Sequence, residues 1–182
     1  MDELDPERRL LGVTPGAPLT NIAPGGRHWY IVARVGHPDP DTFRASYELL
    51  TTFLDELLEE RGVAWDRAVL GGFSMGAVMS YAVGLGPGRP LPAGIVALSG
   101  FIPTVEGWQP ELHSRQGLPV VIRHGSSDPV IDIGFARRAR ELLTEGGLDI
   151  DYLETDAGHW LPPELLPRLR EFVAGVTRDA AG

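Results

Sequence analysis

Residues 68–76 read Ala68-Val69-Leu70-Gly71-Gly72-Phe73-Ser74-Met75-Gly76, and this stretch decides the fold. It ends in the pattern Gly-x-Ser-x-Gly, with an apolar run before it and a helix-like run after it. A serine at a sharp turn from strand to helix has a strained backbone and a hydroxyl that points outward. Flanking glycines suit such a turn, because a Cβ at Gly72 or Gly76 is expected to clash with the neighbouring strand and helix. The stretch therefore predicts that Ser74 is a nucleophile.

The rest of the chain alternates short apolar runs with longer amphipathic ones. Strands are predicted at residues 10–13, 67–71, 94–98, 119–123 and 150–154, and residues 28–35 are predicted to be extended. Helices are predicted at residues 42–61, from the serine turn to about Leu85, at 133–145 and at 163–176. Strands that alternate with helices of this length indicate parallel strands joined by crossover connections. We expect residues 1–182 to form one α/β domain with a mostly parallel sheet and helices on both faces.

Composition argues against several classes of protein. The chain has 182 residues and a net charge of −9, which argues against nucleic acids and anionic membranes as partners. It has no cysteine, so disulfides, thiolate metal sites and a cysteine nucleophile are excluded. Residues 1–6 do not resemble a signal peptide, and no apolar run is long enough to span a membrane. We expect a cytoplasmic protein with no stable membrane insertion.

A nucleophilic serine needs a base, and the base needs an acid that orients it. In hydrolases built on an α/β sheet the three follow one another in the order serine, acid, histidine. His159 follows the last predicted strand, and Asp128 follows the strand at residues 119–123, so both lie at the carboxyl edge of the sheet. Asp132 directly precedes the next helix and suits its N-cap, which leaves Asp128 free. The order favours Asp128 as the acid and His159 as the base, and His124 is expected to support the turn structurally.

An oxyanion formed at Ser74 needs main-chain N–H donors. The residue after the nucleophile normally supplies one, and here that residue is Met75, at the N-terminus of a helix. The second donor normally comes from a loop after an earlier strand, often with a His-Gly-Gly-like sequence. No such loop is evident before Ser74, and residues 14–17 are a candidate segment.

Four ordered motifs together resemble the phospholipase/carboxylesterase family, which includes acyl-protein thioesterases and small bacterial carboxylesterases. The motifs are Gly71-Gly72-Phe73-Ser74-Met75-Gly76, Leu98-Ser99-Gly100-Phe101, His124-Gly125-Ser126-Ser127-Asp128-Pro129-Val130 and Gly158-His159. The segment at residues 15–21, followed by Trp29-Tyr30, also resembles a loop of that family. The resemblance implies an α/β-hydrolase fold, the residues Ser74, Asp128 and His159 as catalytic triad, and ester or thioester hydrolysis with no cofactor or metal. It also implies an acyl pocket, for which the candidates are Leu19, Trp29, Phe101, Ile102 and Trp160.

The start of the chain departs from the family pattern. Members of the family have two strands, a third strand that ends in His-Gly, and then a helix, whereas this chain is expected to begin within that helix. Without the third strand, two sheet edges at residues 10–13 and 67–71 are expected to be exposed. Exposed edges can pair with each other or with a second chain, so we expect a homodimer.

These observations predict a serine carboxylesterase that acts on small or medium acyl esters through an acyl-enzyme. Two alternatives remain open at this point. In the first alternative, the protein is a hydrolase of the same family whose substrate is a thioester or a lysophospholipid. In the second, the chain is a truncated, weakly active scaffold or oligomerising protein.

Overall fold

The computed structural model describes residues 4–20, 22 and 25–179. Strands β1 (Val32–Arg34) and β2 (His37–Pro38) form a small antiparallel pair. Strands β3 (Val69–Phe73), β4 (Gly94–Leu98), β5 (Pro119–Gly125) and β6 (Asp149–Thr155) form a four-stranded sheet in the order β3-β4-β5-β6, and all its pairs are parallel. The helices are α1 (Pro40–Arg61), α2 (Met75–Leu85), α3 (Ile133–Glu145) and α4 (Leu166–Asp179). The α/β class and the mostly parallel sheet are confirmed.

The two faces of the sheet bury different residues because side chains alternate along each strand. On one face, Ile95 and Val120 belong to the main core, together with α2 and the buried side of α3. On the other face, Val96 and Val121 pack with Leu169 of α4. Helices therefore cover both faces of the sheet, as the sequence predicts.

Helix α2 is buried along most of its length, from Ala77 to Leu85. Its residues are small or apolar, so it can lie deep against β3 and β4. Gly84 sets the closest approach, since a Cβ there would lie 2.5 Å from Cδ1 of Ile95. This packing fixes the N-terminus of α2 at the carboxyl edge of the sheet.

The strand predicted at residues 10–13 is wrong. These residues form no strand, and Leu11 and Val13 are 62% and 40% exposed. A strand needs a neighbour to satisfy its main-chain groups, and no pairing to this segment occurs within residues 4–20, 22 and 25–179. The extended stretch expected at residues 28–35 is reduced to β1, which is exposed.

One of the two expected sheet edges is present and the other is not. Strand β3 lies at the end of the sheet, and its outer side pairs with no strand in the described part of the chain. Gly71 is exposed, and Phe73 is 39% exposed. An unpaired edge therefore leads directly to Ser74.

No helix in the described ranges is both long and apolar enough to cross a membrane.

Candidate active site

Ser74 occupies the turn between β3 and α2. Its φ and ψ are 55° and −120°, a strained conformation for a residue with a side chain. The Ser74 N–H donates to the carbonyl of Leu98 at 2.9 Å, which ties the turn to β4. The strain presents the hydroxyl at the carboxyl edge of the sheet, as the motif predicts.

The two glycines of the motif are not equivalent. A Cβ at Gly72 would lie 2.2 Å from the carbonyl carbon of Gly76, so the turn needs glycine there. A Cβ at Gly76 would meet no atom within 4 Å, and its φ is not in the left-handed region. The expectation that both positions exclude a side chain is therefore right for Gly72 and wrong for Gly76.

Asp128 lies in the loop that follows β5, and main-chain donors hold its carboxylate. Its Oδ1 accepts the N–H of Val130 at 2.8 Å and the N–H of Ile131 at 2.9 Å. Asp132 instead caps α3, where its Oδ1 accepts the N–H of Gly134 at 2.8 Å. Asp132, and not Asp128, is therefore the N-cap of α3, as expected.

Gly125 brings the loop after β5 close to the loop after β6. A Cβ at Gly125 would lie 2.3 Å from the carbonyl oxygens of Ala157 and Gly158. A side chain there would push the two loops apart. The glycine thus allows Asp128 and His159 to meet across 31 residues of sequence.

His159 joins Asp128 to Ser74. Its Nδ1 lies 2.7 Å from Oδ2 of Asp128, and its Nε2 lies 3.0 Å from Oγ of Ser74. Because a carboxylate only accepts, Nδ1 carries the proton, and Nε2 of the neutral ring can then accept the serine hydroxyl proton. The ring also packs on Phe73, with centroids 4.7 Å apart. The arrangement can remove a proton from Ser74 and stabilise the imidazolium that forms.

Electrostatics keep the Asp128 carboxylate ionised. Burial alone would raise the pKa of Asp128, but the N–H of Ile131, His159 and the N–H of Val130 lower it by donating hydrogen bonds. The net effect is a pKa below the usual value of 3.8. The acid that faces His159 therefore carries its negative charge at neutral pH.

Met75 is the first residue of α2, where main-chain N–H groups have no acceptor within the helix. An open cleft of about 470 Å³ lies beside this turn. Its lining consists of residues 25–29 on one side and residues 73–76 on the other. Residues 14–17, the segment considered for a second oxyanion donor, are not among these lining residues. The loop that faces the serine turn is residues 25–29.

The predicted pocket residues occupy different environments. Trp29 lines the cleft, and Trp160 is 53% exposed beside His159. Leu19 is half-buried and pairs through its main chain with His28, which does line the cleft. Phe101 is buried in the main core, where its ring centroid lies 5.3 Å from that of Phe135. Ile102 is partly buried and packs against that core. Of the five candidates only Trp29 belongs to the cleft lining.

Sequence reasoning missed Phe73 and the segment from Gly25 to His28. Phe73 is one of the two variable positions of the motif, and only its location at the sheet edge makes it a cleft residue. One sequence feature marks this segment, the pair Gly25-Gly26, because glycines allow close approach of the main chain. Both glycines have positive φ in the structure. Within the described ranges, no cluster of three or more His, Cys, Asp or Glu side chains is placed to hold a metal ion.

Comparison with known proteins agrees with the fold and with the family that the sequence resembles. The model of the phospholipase/carboxylesterase family matches residues 13–176. Acyl-protein thioesterase 1 of Debaryomyces hansenii is 33% identical over 146 residues, which cover 74% of this chain and 62% of that protein. This chain therefore spans less than two thirds of that relative's length.

Solved structures of α/β hydrolases resemble this one. Esterase PE8 is 25% identical, with a TM-score of 0.73 and coverage of 89% of this chain and 76% of its own. A Bacillus cereus carboxylesterase is 20% identical, with a TM-score of 0.71 and coverage of 86% and 73%, which shows the shared fold. The fold is thus that of an α/β hydrolase, and the chain belongs to the phospholipase/carboxylesterase family.

Proposed function

We propose that this protein is a serine carboxylesterase that hydrolyses small or medium acyl esters. Ser74 is the nucleophile, His159 the general base and Asp128 the acid that orients His159. The observation that carries the proposal is the unbroken hydrogen-bond chain from Asp128 through His159 to Oγ of Ser74, at 2.7 and 3.0 Å. Membership of a family of esterases and thioesterases supports it.

The reaction follows from the positions of these groups. Oγ of Ser74 attacks the acyl carbon while its proton passes to Nε2 of His159, and the Met75 N–H stabilises the oxyanion. The intermediate collapses as His159 returns that proton to the leaving oxygen, which leaves an acyl group on Ser74. Water then attacks the acyl-enzyme with His159 again as base, and the carboxylic acid departs. No step in this sequence requires a cofactor.

A thioesterase is the second candidate, because the relative from Debaryomyces hansenii is named an acyl-protein thioesterase. The same triad serves both reactions, since the attacked carbon is an acyl carbon in each. A lysophospholipid is a third substrate of the same kind. Matched oxygen esters and thioesters of one acyl chain separate the first two by their kcat/KM values.

The direct test is hydrolysis of short-chain p-nitrophenyl esters by the wild-type chain and by Ser74→Ala. We expect the variant to lose about 10⁴-fold or more in kcat, because the nucleophile is removed. Ser126→Ala, which changes an exposed serine in the loop after β5, is the control and should retain activity. Equal rates in wild type and Ser74→Ala would refute the assignment, and an inactive wild type would favour a scaffold role. A chain-length series then measures the acyl preference.

A homodimer in the cytoplasm remains part of the proposal. The outer side of β3, which pairs with no strand among the described residues, supports the dimer, since unpaired strand edges pair readily with a second chain. We expect the dimer mass in multi-angle light scattering at micromolar concentration. A monodisperse monomer would contradict it.

A further inference from the structure

His124 is a buried histidine that the proposed reaction does not use. It is the penultimate residue of β5, and its side chain has no exposed surface. Its Nε2 lies 2.8 Å from the carbonyl oxygen of Ile131 and 3.5 Å from Oδ2 of Asp128. The ring therefore lies beneath the loop that carries the acid of the triad.

The hydrogen-bond partner fixes the tautomer of His124. A carbonyl oxygen only accepts, so Nε2 carries a proton and donates it to Ile131. In the neutral ring Nδ1 then has no proton, and it has no partner within the described part of the chain. The ring thus acts as a donor aimed at the loop.

Ile131 connects this donor to the triad. The Ile131 N–H donates to Oδ1 of Asp128 at 2.9 Å, while its carbonyl accepts from His124. His124 therefore fixes Ile131 by a hydrogen bond, and Ile131 in turn donates to the Asp128 carboxylate. The remaining residues of the loop, 126, 127, 129 and 130, are exposed and give Asp128 little packing support.

We infer that His124 is a positioning residue, whose Nε2–H fixes the Ile131 main chain and thereby orients the Asp128 carboxylate toward His159. The inference rests on the proposed function. Loss of the donor leaves the buried Ile131 carbonyl unsatisfied, so the loop is expected to shift toward water. Asp128 then aligns poorly with His159, and the base becomes weaker.

The test compares His124→Gln with His124→Met. The two replacement side chains have the same length, but only the glutamine amide can donate to Ile131. We expect His124→Met to lower kcat by about tenfold or more with little change in KM, by analogy with the loss seen when a group that orients a metal-ligating side chain is removed. We expect the acid limb of its kcat/KM profile to shift to lower pH, because a misplaced carboxylate stabilises the imidazolium less. His124→Gln should recover most of both.

Active sites are counted with a fluorophosphonate probe, so that kcat refers to folded enzyme only. Should His124→Met not fold, His124→Asn replaces it, because the shorter amide does not reach Ile131. The inference would be overturned if His124→Gln and the variant without a donor, His124→Met or His124→Asn, had equal kcat per titrated site and the same acid limb.

A second measurement does not depend on turnover. The far-downfield proton resonance of His159 Nδ1–H reports its hydrogen bond to Asp128. It should persist in His124→Gln and weaken or disappear in His124→Met. If wild type shows the resonance but Ser74→Ala has no effect on hydrolysis, the proposed function fails while the positioning role stands. An unchanged resonance in every variant overturns the positioning role alone.

Discussion

The two sides of Ser74 are built differently. On one side His159 and Asp128 form a chain of hydrogen bonds at 3.0 and 2.7 Å, backed by main-chain donors from the loop after β5. On the other side lies an open cleft that faces residues 25–29. Asp128 and His159 follow β5 and β6, which are adjacent parallel strands, so their carboxyl ends lie side by side. The cleft side depends on a loop outside the four-stranded sheet, so its geometry follows from packing and not from sheet register.

The largest expected effect lies on the hydrogen-bonded side. Asp128→Asn should lower kcat by ~10⁴-fold, because an amide no longer fixes the tautomer of His159 or stabilises the imidazolium. Steady-state kinetics with a p-nitrophenyl ester measures the loss. A loss below tenfold, with the fold intact by circular dichroism, would show that this side is less important than its geometry indicates.

The serine turn itself offers a matched pair of substitutions. Gly72→Ala places a Cβ 2.2 Å from the main chain of Gly76, whereas Gly76→Ala meets nothing within 4 Å. We expect Gly72→Ala to lower the free energy of unfolding by about 1–3 kcal/mol and to reduce activity, since the turn must distort. Gly76→Ala should leave the unfolding free energy unchanged or raise it, because alanine favours a helix. Urea denaturation measures the unfolding free energy of both variants. Equal losses of unfolding free energy in the two would contradict the clash argument.

The cleft side should respond in KM and less in kcat. Trp29→Ala removes a large half-buried side chain from the cleft lining, worth about 1–2 kcal/mol of substrate contact, or roughly 5- to 30-fold in KM. Trp160→Ala is the matched control, since Trp160 is 53% exposed and outside that lining. A larger KM effect from Trp160 would move the substrate site to the other side of His159.

The smallest expected effect concerns pH and stability. The pKa of Asp128 in the folded chain lies below its usual value of 3.8, so its ionised form stabilises the fold. That contribution is present above pH 3.8 and is lost as pH falls below that value through the folded pKa. The difference in unfolding free energy between wild type and Asp128→Asn should therefore shrink on acidification. Urea titrations at several pH values measure it, and a difference that grows toward low pH would reverse the sign of the argument.

Much of the fold could be predicted from the sequence because the central strands β4 and β5 are short, buried and largely apolar. Gly94–Leu98 and Ile133–Glu145 have the predicted bounds, since apolar runs, Asp132 and Gly146 mark where they begin and end. Residues 10–13 show the limit of this reasoning. They are as apolar as a strand, but pairing depends on a neighbour that no local pattern reveals.

The candidate site divides in the same way. Ser74, Asp128 and His159 could be grouped because each follows a predicted strand and parallel strands end at one edge of the sheet. The order serine, acid, histidine then favoured His159 over the other histidines. The cleft lining at Gly25 to Trp29 could not be located, since the path of a loop rich in proline and glycine is set by contacts distant in sequence. The clash at Gly72 and its absence at Gly76 depend on how closely neighbouring atoms approach each glycine, which the motif does not reveal.

Covalent labelling tests the central claim most directly. A fluorophosphonate forms a P–O bond to Oγ of an activated serine as fluoride leaves and the serine proton passes to its base. We predict one label per chain by intact mass, located by peptide mapping on Ser74, absent in Ser74→Ala and much slower to form in Asp128→Asn. Labelling at another serine, or equal labelling of wild type and Ser74→Ala, would contradict the assignment of Ser74 as the nucleophile.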